Sequence, residues 1–189
     1  MNPEFKTFEN LVNLADLKKF VNETITLWQK KYPNQAYPPA IFLYVIDHGI
    51  PKVGIFSGLL FEHMGNRWEA ALQHYVRSII QYSPAQNITP MYSIVAIEAW
   101  VRVDTVGDNE TAQDVINRNR GKRVDEAPDR KEVILTFVEG EDFQEVVSYD
   151  MIRENNTVRL VEEHNSNTNK SDPELRGAWA NLMYKPKPI

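Results

Sequence analysis

The groups of this chain with the most chemical reach are four histidines and one carboxylate set inside an apolar run. His48 follows Asp47, and a carboxylate beside an imidazole can orient the ring for base work or for holding a metal. The simpler reading is a turn in which Asp47 bonds the local backbone and His48 is solvated. His63 follows Glu62, and with Glu98 these could surround one metal ion, although nothing in their spacing forces them together. No two histidines have the i, i+4 spacing that sets two imidazoles on one helical face. Glu98 interrupts the apolar stretch from Pro90 to Val103, where a charge has to be paired or wet. Strand alternation puts Glu98, Trp100 and Arg102 on one face. Glu98 is therefore expected to pair with Arg130 or Lys131 across a ladder or, less simply, to anchor a ligand pocket floored by Trp100. The ligand-binding candidates are thus Glu98, Trp100, His48 and His63.

Two charge clusters remain. Arg118, Arg120, Lys122 and Arg123 have the local density of a phosphate or nucleic-acid patch. Asp125, Glu126 and Asp129 follow at once, and the aromatic interleaving of an RNA platform is missing, so a solvated loop is the simpler reading. Glu139, Glu141, Asp142 and Glu145 depart from the alternating oxygen ligands of a calcium loop and read as a solubilising edge.

Composition narrows the classes. A formal charge of -5 argues against general nucleic-acid affinity. Without cysteine there is no disulfide scaffold, zinc ribbon or catalytic thiol. Eight glycines and no Gly-rich phosphate loop make a dinucleotide fold a poor fit, and neither a Gly-x-Ser-x-Gly elbow nor a His-Glu-x-x-His helix is present. No cofactor or metal is indicated. The start of the chain lacks a secretory pattern, and the apolar stretch Ile88 to Val101 falls short of the roughly 20 residues that span a bilayer. A cytoplasmic protein without membrane attachment is expected.

The elements that must position these residues follow from periodicity. Leu14, Leu17, Val21, Ile25 and Trp28 recur at helical spacing, which predicts an amphipathic helix over 16–31 capped by Asn13 and stopped by Pro33, with Gln29 among the polar residues between. Ile41 to Ile46 and Val53 to Phe56 read as a hairpin turning at Gly49. A second helix is predicted over 66–82, buried through Trp68, Leu72, Tyr75, Val76, Ile79 and Ile80. The run Pro90 to Val103 is apolar on both faces, as a central strand is. A meander follows over 131–138, 143–153 and 157–163, with Gly140 supplying a positive φ in its first turn and Asn155-Asn156 forming its second. Between strand and meander, Asp104 to Arg130 is a long insertion holding a short helix near 110–118 capped by Asp108 or Asn109. Residues 164–172 read as a loop and 173–183 as a last helix.

The segment Ala96-Ile97-Glu98-Ala99-Trp100, followed downstream by Pro128-Asp129-Arg130-Lys131-Glu132, resembles a group of uncharacterised bacterial and phage proteins. In that group Glu-Ala-Trp precedes a variable loop, then Pro-x-Arg-x-Glu and a strand. The resemblance carries no activity. It implies that Glu98, Trp100, Arg130 and Glu132 share one structural node, and it suggests a phage or prophage origin.

The expectation is a single α+β domain over 1–189, with an antiparallel sheet of about six strands and both main helices on one face. No catalytic set is complete. The leading reading is a non-catalytic interaction or accessory protein with a protein partner or a second copy of itself. A small-molecule binder or hydrolase near Glu98 and Trp100, and a nucleic-acid adaptor using residues 118–123, are the alternatives.

Overall fold

The computed structural model describes residues 5–7, 13–102, 109–120, 130–141, 143–154, 157–169 and 183. Its most continuously buried strand is β2 (Ala40–Asp47), every residue of which from Ala40 to Val45 is buried. Alternation sends Ala40, Phe42 and Tyr44 to one side of the sheet and Ile41, Leu43 and Val45 to the other. A strand apolar at consecutive positions needs cover on both faces, and one helix supplies each. Helix α1 (Leu14–Lys31) brings Leu17, Val21 and Ile25 to the Phe42 side. Helix α2 (Trp68–Tyr82) brings Leu72, Val76 and Ile80 to the Leu43 side. The expectation that both helices share one face is thus corrected: they sandwich the sheet.

The fold is α+β, and its sheet is antiparallel throughout, with seven strands among the described residues in the order β1-β3-β2-β4-β5-β6-β7. Short β1 (Phe5–Thr7) lies against β3 (Ile50–Ser57). A 3-10 helix over Gly58–Arg67 leads from β3 into α2. Strand β4 (Ile88–Arg102) then runs beside β2 and begins the meander of β5 (Arg130–Glu139), β6 (Phe143–Glu154) and β7 (Thr157–Asn169). Residues 164–169, expected in a loop, continue β7, because the first half of β6 needs a ladder partner: Phe143 lies opposite Asn169 and Gln144 opposite Thr168. The helix expected over 173–183 lies outside the described residues except for Met183, and so does the turn at Asn155-Asn156. Among the described residues, no helix is long and apolar enough to cross a membrane.

Local chemistry sets the ends. Asn13 accepts from the Asp16 N–H at 3.1 Å while Asp16 accepts from the Asn13 N–H at 3.2 Å, a reciprocal cap for α1. The β2–β3 hairpin turns on His48 and Gly49, with φ of 50° and 81°, the paired left-handed residues of a two-residue loop. Gly140 is required for a different reason from the one expected. Its φ is not positive; a Cβ there would stand 2.4 Å from the Phe143 ring, so the glycine makes room for the aromatic.

Burying Phe42 and Leu72 on opposite sides separates their environments. Phe42→Ala is expected to cost about 3–5 kcal/mol and Leu72→Ala about 2–5 kcal/mol. The double variant should equal the sum to within about 0.5 kcal/mol in urea unfolding. Coupling well beyond that would show the two side chains in one cluster.

Candidate functional site

Glu98 stands on the α1 side of β4, two residues beyond buried Ala96. It does not face Arg130 or Lys131 across the ladder. The register places Ile134 opposite Glu98, Glu132 opposite Trp100, and Arg130 opposite Arg102. The apolar halves of β4 and β5 lie opposite each other, which leaves Glu98 well inside the sheet rather than level with the basic residues at its end.

Its partners come from elsewhere. The Tyr37 backbone N–H donates to Glu98 Oε2 at 2.6 Å, and Gln29 Nε2 donates to the same oxygen at 3.1 Å. Glu132 lies diagonal to Glu98 on the same face. Arg153 closes the cluster from β6. Its Nε and Nη2 donate to the two oxygens of Glu132 at 2.8 and 2.7 Å, the bidentate geometry that makes such pairs strong. Its Nη1 donates to Gln29 Oε1 at 3.0 Å and to the Pro33 carbonyl at 3.2 Å. The node therefore joins the end of α1, the α1–β2 connection and three adjacent strands.

The two carboxyls differ in proton affinity for physical reasons. Burial pushes the Glu98 carboxyl above the usual carboxylate range, and the neighbouring Glu132 adds to this against the opposing pull of the Tyr37 N–H and Arg153. Glu132 is held below that range chiefly by its hydrogen bonds from Arg153. Glu132 in turn raises the Arg153 guanidinium. Burial also raises the Tyr37 phenol strongly, so it stays neutral. Of the two carboxyls, Glu98 is thus the one that holds its proton to the higher pH.

Trp100 is exposed, and the Arg130 guanidinium lies 4.8 Å from its ring centroid, so a cation covers the aromatic face expected to floor a pocket. Glu98, Trp100, Arg130 and Glu132 do form one neighbourhood, as expected of a structural node. The histidines do not join it. His48 sits in the β2–β3 turn, where Asp47 lies opposite Ile88, so it is removed from Glu98 by roughly 30 Å of strand. Its Nδ1 contacts Asp47 Oδ1 at 2.6 Å, while Lys52 Nζ bonds Asp47 Oδ2 at 2.6 Å. Lys52 foremost, then His48, holds the Asp47 carboxyl below its usual range. His63 is exposed in the 3-10 helix beside α2, across the sheet from Glu98. Among the described residues, no group of three or more potential ligands could hold a metal ion.

The basic and acidic clusters also behave differently from expectation. Helix α3 (Ala112–Asn119) is capped by Thr111 with Asp114 rather than by Asp108 or Asn109. Arg118 pairs with Glu110, Arg120 follows the helix in an exposed position, and Lys122 and Arg123 lie outside the described residues. Glu139 and Glu145, expected on a solubilising edge, are buried: Glu139 accepts from the Met183 N–H at 2.9 Å and Glu145 pairs with Lys18 of α1. A charge on an inward strand position survives by finding a partner.

Sequence reasoning missed Gln29, Tyr37 and Arg153. Two left a trace. Gln29 lies four residues after Ile25 on the buried stripe of α1, and Arg153 follows Val147, Tyr149 and Met151 at the inward parity of β6. Tyr37 acts through its backbone and left none. Compared with known proteins, the chain matches no family model, no curated protein and no solved structure.

The opposite shifts of the two carboxyls fix a pH signature. The raised Glu98 contributes stability that is full below the ordinary Glu value of about 4.3 and is lost as pH rises through its folded value. The depressed Glu132 contributes stability that is full above about 4.3 and is lost as pH falls through its folded value. Glu98→Gln keeps the neutral form at every pH. Its unfolding free energy relative to wild type is expected to climb as pH rises above about 4.3 and then level off. Parallel pH profiles for the two proteins would contradict the assignment.

Proposed function

We propose that this chain is a non-catalytic interaction protein that receives a partner strand, from another protein or from a second copy of itself, along the outer edge of β7. The observation that carries the reading is the edge. β7 is 13 residues long and ends the strand order, with no strand on its outer side among the described residues. An edge of this length presents a row of backbone donors and acceptors to which an extended segment can add. Arg159 and Glu162 are exposed along it, the kind of charge that keeps an edge from pairing indiscriminately. At the other end of the sheet, β1 pairs with β3 from Lys52 to Gly54.

The alternatives draw less support. The ionisable cluster at Glu98 binds its own chain: Gln29, Tyr37, Glu132 and Arg153 meet one another's polar groups. A ligand pocket on Trp100 would have to displace Arg130 from its ring. Within the basic stretch, Arg118 is neutralised by Glu110. The likeness of residues 96–100 and 128–132 to bacterial and phage proteins supports a phage or prophage origin and no particular role.

Consecutive strand residues direct their amides to opposite edges, so Arg159→Pro and Leu160→Pro form a matched pair. The variant that removes the inward amide should lose about 1–3 kcal/mol of stability, through the broken ladder bond to β6. The variant that removes the outward amide should fold normally and lose self-association in light scattering or capture of its partner. If both variants associate as wild type does, or if wild type stays monomeric and retains no partner, the reading fails.

A further inference from the structure

The side of the sheet that carries α2 is only partly covered by it. The cluster under α2 draws on β2, β3 and β4, reaches Phe137 of β5 at its margin, and takes no residue from β6 or β7. By strand alternation Leu135 of β5 and Val146 and Ile152 of β6 share this side with Phe137, and all are half-buried. Val133, on the same side, is fully buried yet belongs to the cluster of neither main helix. Chain other than α1 and α2 therefore lies over this part of the sheet. Met183 shows which chain arrives there. Its side chain packs against the α2 cluster, and its N–H donates at 2.9 Å to Glu139, a buried carboxylate two residues beyond Phe137 on the same side. Met183 lies in a bend, so its N–H serves Glu139 instead of closing a helical turn.

The length of chain between β7 and Met183 limits where it can go. Glu139 stands opposite Gln144 and Gln144 opposite Thr168, so Glu139 lies two strand spacings, about 10 Å, from the end of β7. In sequence, the stretch between carries the helix start Asp172-Pro173-Glu174, then Leu175, Ala178, Trp179 and Leu182 at the i, i+3, i+4, i+7 spacing of one apolar face. A helix over 173–182 is about 15 Å long, and the link from Asn169 to Pro173 spans at most about 13 Å, so the segment stays near this end of the sheet. We propose that the α2 side of β5 and β6 is a docking surface for the chain's own C-terminal segment: residues 173–182 lie on it as an amphipathic helix, and Glu139 holds the exit by accepting the Met183 N–H. The match is apolar stripe to apolar face, the way a helix is recognised through anchors at this spacing. A short link holds the segment at an effective concentration on the order of millimolar, which favours it over the same segment of a second copy. The docking uses a face of the sheet, not the outer edge of β7, and stands whether or not a partner strand adds there.

Paramagnetic broadening in the intact chain tests the docking. The chain has no cysteine, so Arg176→Cys takes a single nitroxide on the polar side of the segment. Amide signals of Leu135, Phe137, Val146 and Ser148 are expected to lose at least half of their intensity, while those of Leu17, Val21 and Ile25, across the sheet, keep theirs. Adding Trp179→Asp should restore the β5 and β6 signals by detaching the segment. The proposal is overturned if the label leaves β5 and β6 unchanged, broadens α1 instead, or keeps its effect after Trp179→Asp. Mixing labelled protein with unlabelled, nitrogen-15-enriched protein separates the occupants. No broadening is expected in the mixture, and broadening between copies overturns the assignment to the chain's own segment. Should Trp179→Asp fail to fold, hydrogen exchange on the wild type decides: amides over 177–182 must exchange at least tenfold more slowly than in an unstructured chain, and unprotected amides overturn the proposal.

Discussion

The guanidinium of Arg153 connects parts of the chain that sequence keeps far apart. It grips Glu132 on the neighbouring strand with two parallel hydrogen bonds and reaches Gln29 and Pro33 with its remaining nitrogen. Gln29 passes the connection to Glu98, and Glu98 passes it to the Tyr37 amide. A charged group in a half-buried position is tolerated only when its partners replace the water it loses. Here each member supplies what another lacks. Removing one leaves the rest under-satisfied, and the cost of a broken network exceeds that of the bonds removed.

The node can exist only because the sheet is buried on both sides. β2 and β4 are apolar at consecutive positions, with Phe42, Ile94 and Ala96 under α1 and Leu43 and Val95 under α2. Fully burying a side chain of this size is worth about 1.5–3 kcal/mol, and that packing fixes the β4–β5 register. The register sets Glu98 diagonal to Glu132 and holds both under the last turn of α1. Hydrophobic packing thus positions the polar cluster, and the cluster in turn ties the α1–β2 connection to the strands. β7 lies directly beside the strand that carries Arg153, so a strand added at its outer edge would extend a scaffold that the node helps tie together.

Much of this was legible before any coordinates. Helix α1 announced itself through Leu17, Val21 and Ile25, and the meander through β-branched runs separated by turn residues. The division of the helices between two faces is also written in β2, whose run Ile41 to Ile46 never alternates. The site was half legible. Glu98 stood out as a charge in an apolar strand, and the resemblance tied it to Glu132. Gln29 and Arg153 sat at buried parities that a stricter reading of period would have flagged. The Tyr37 amide and the Pro33 carbonyl are backbone groups that any residue could have offered, so no sequence pattern announces them. The histidines misled because proximity in sequence, as of Asp47 to His48, says nothing of which end of a sheet a turn occupies.

The central claim is that Gln29 and Arg153 belong to one cooperative polar network, and a double-mutant cycle tests it most directly. Gln29→Met, Arg153→Met and the double variant would be unfolded in urea under matched conditions. The account predicts that the two losses fail to add, with an interaction energy of about 0.5–3 kcal/mol. Losses that add to within about 0.3 kcal/mol would show two independent contacts and no network.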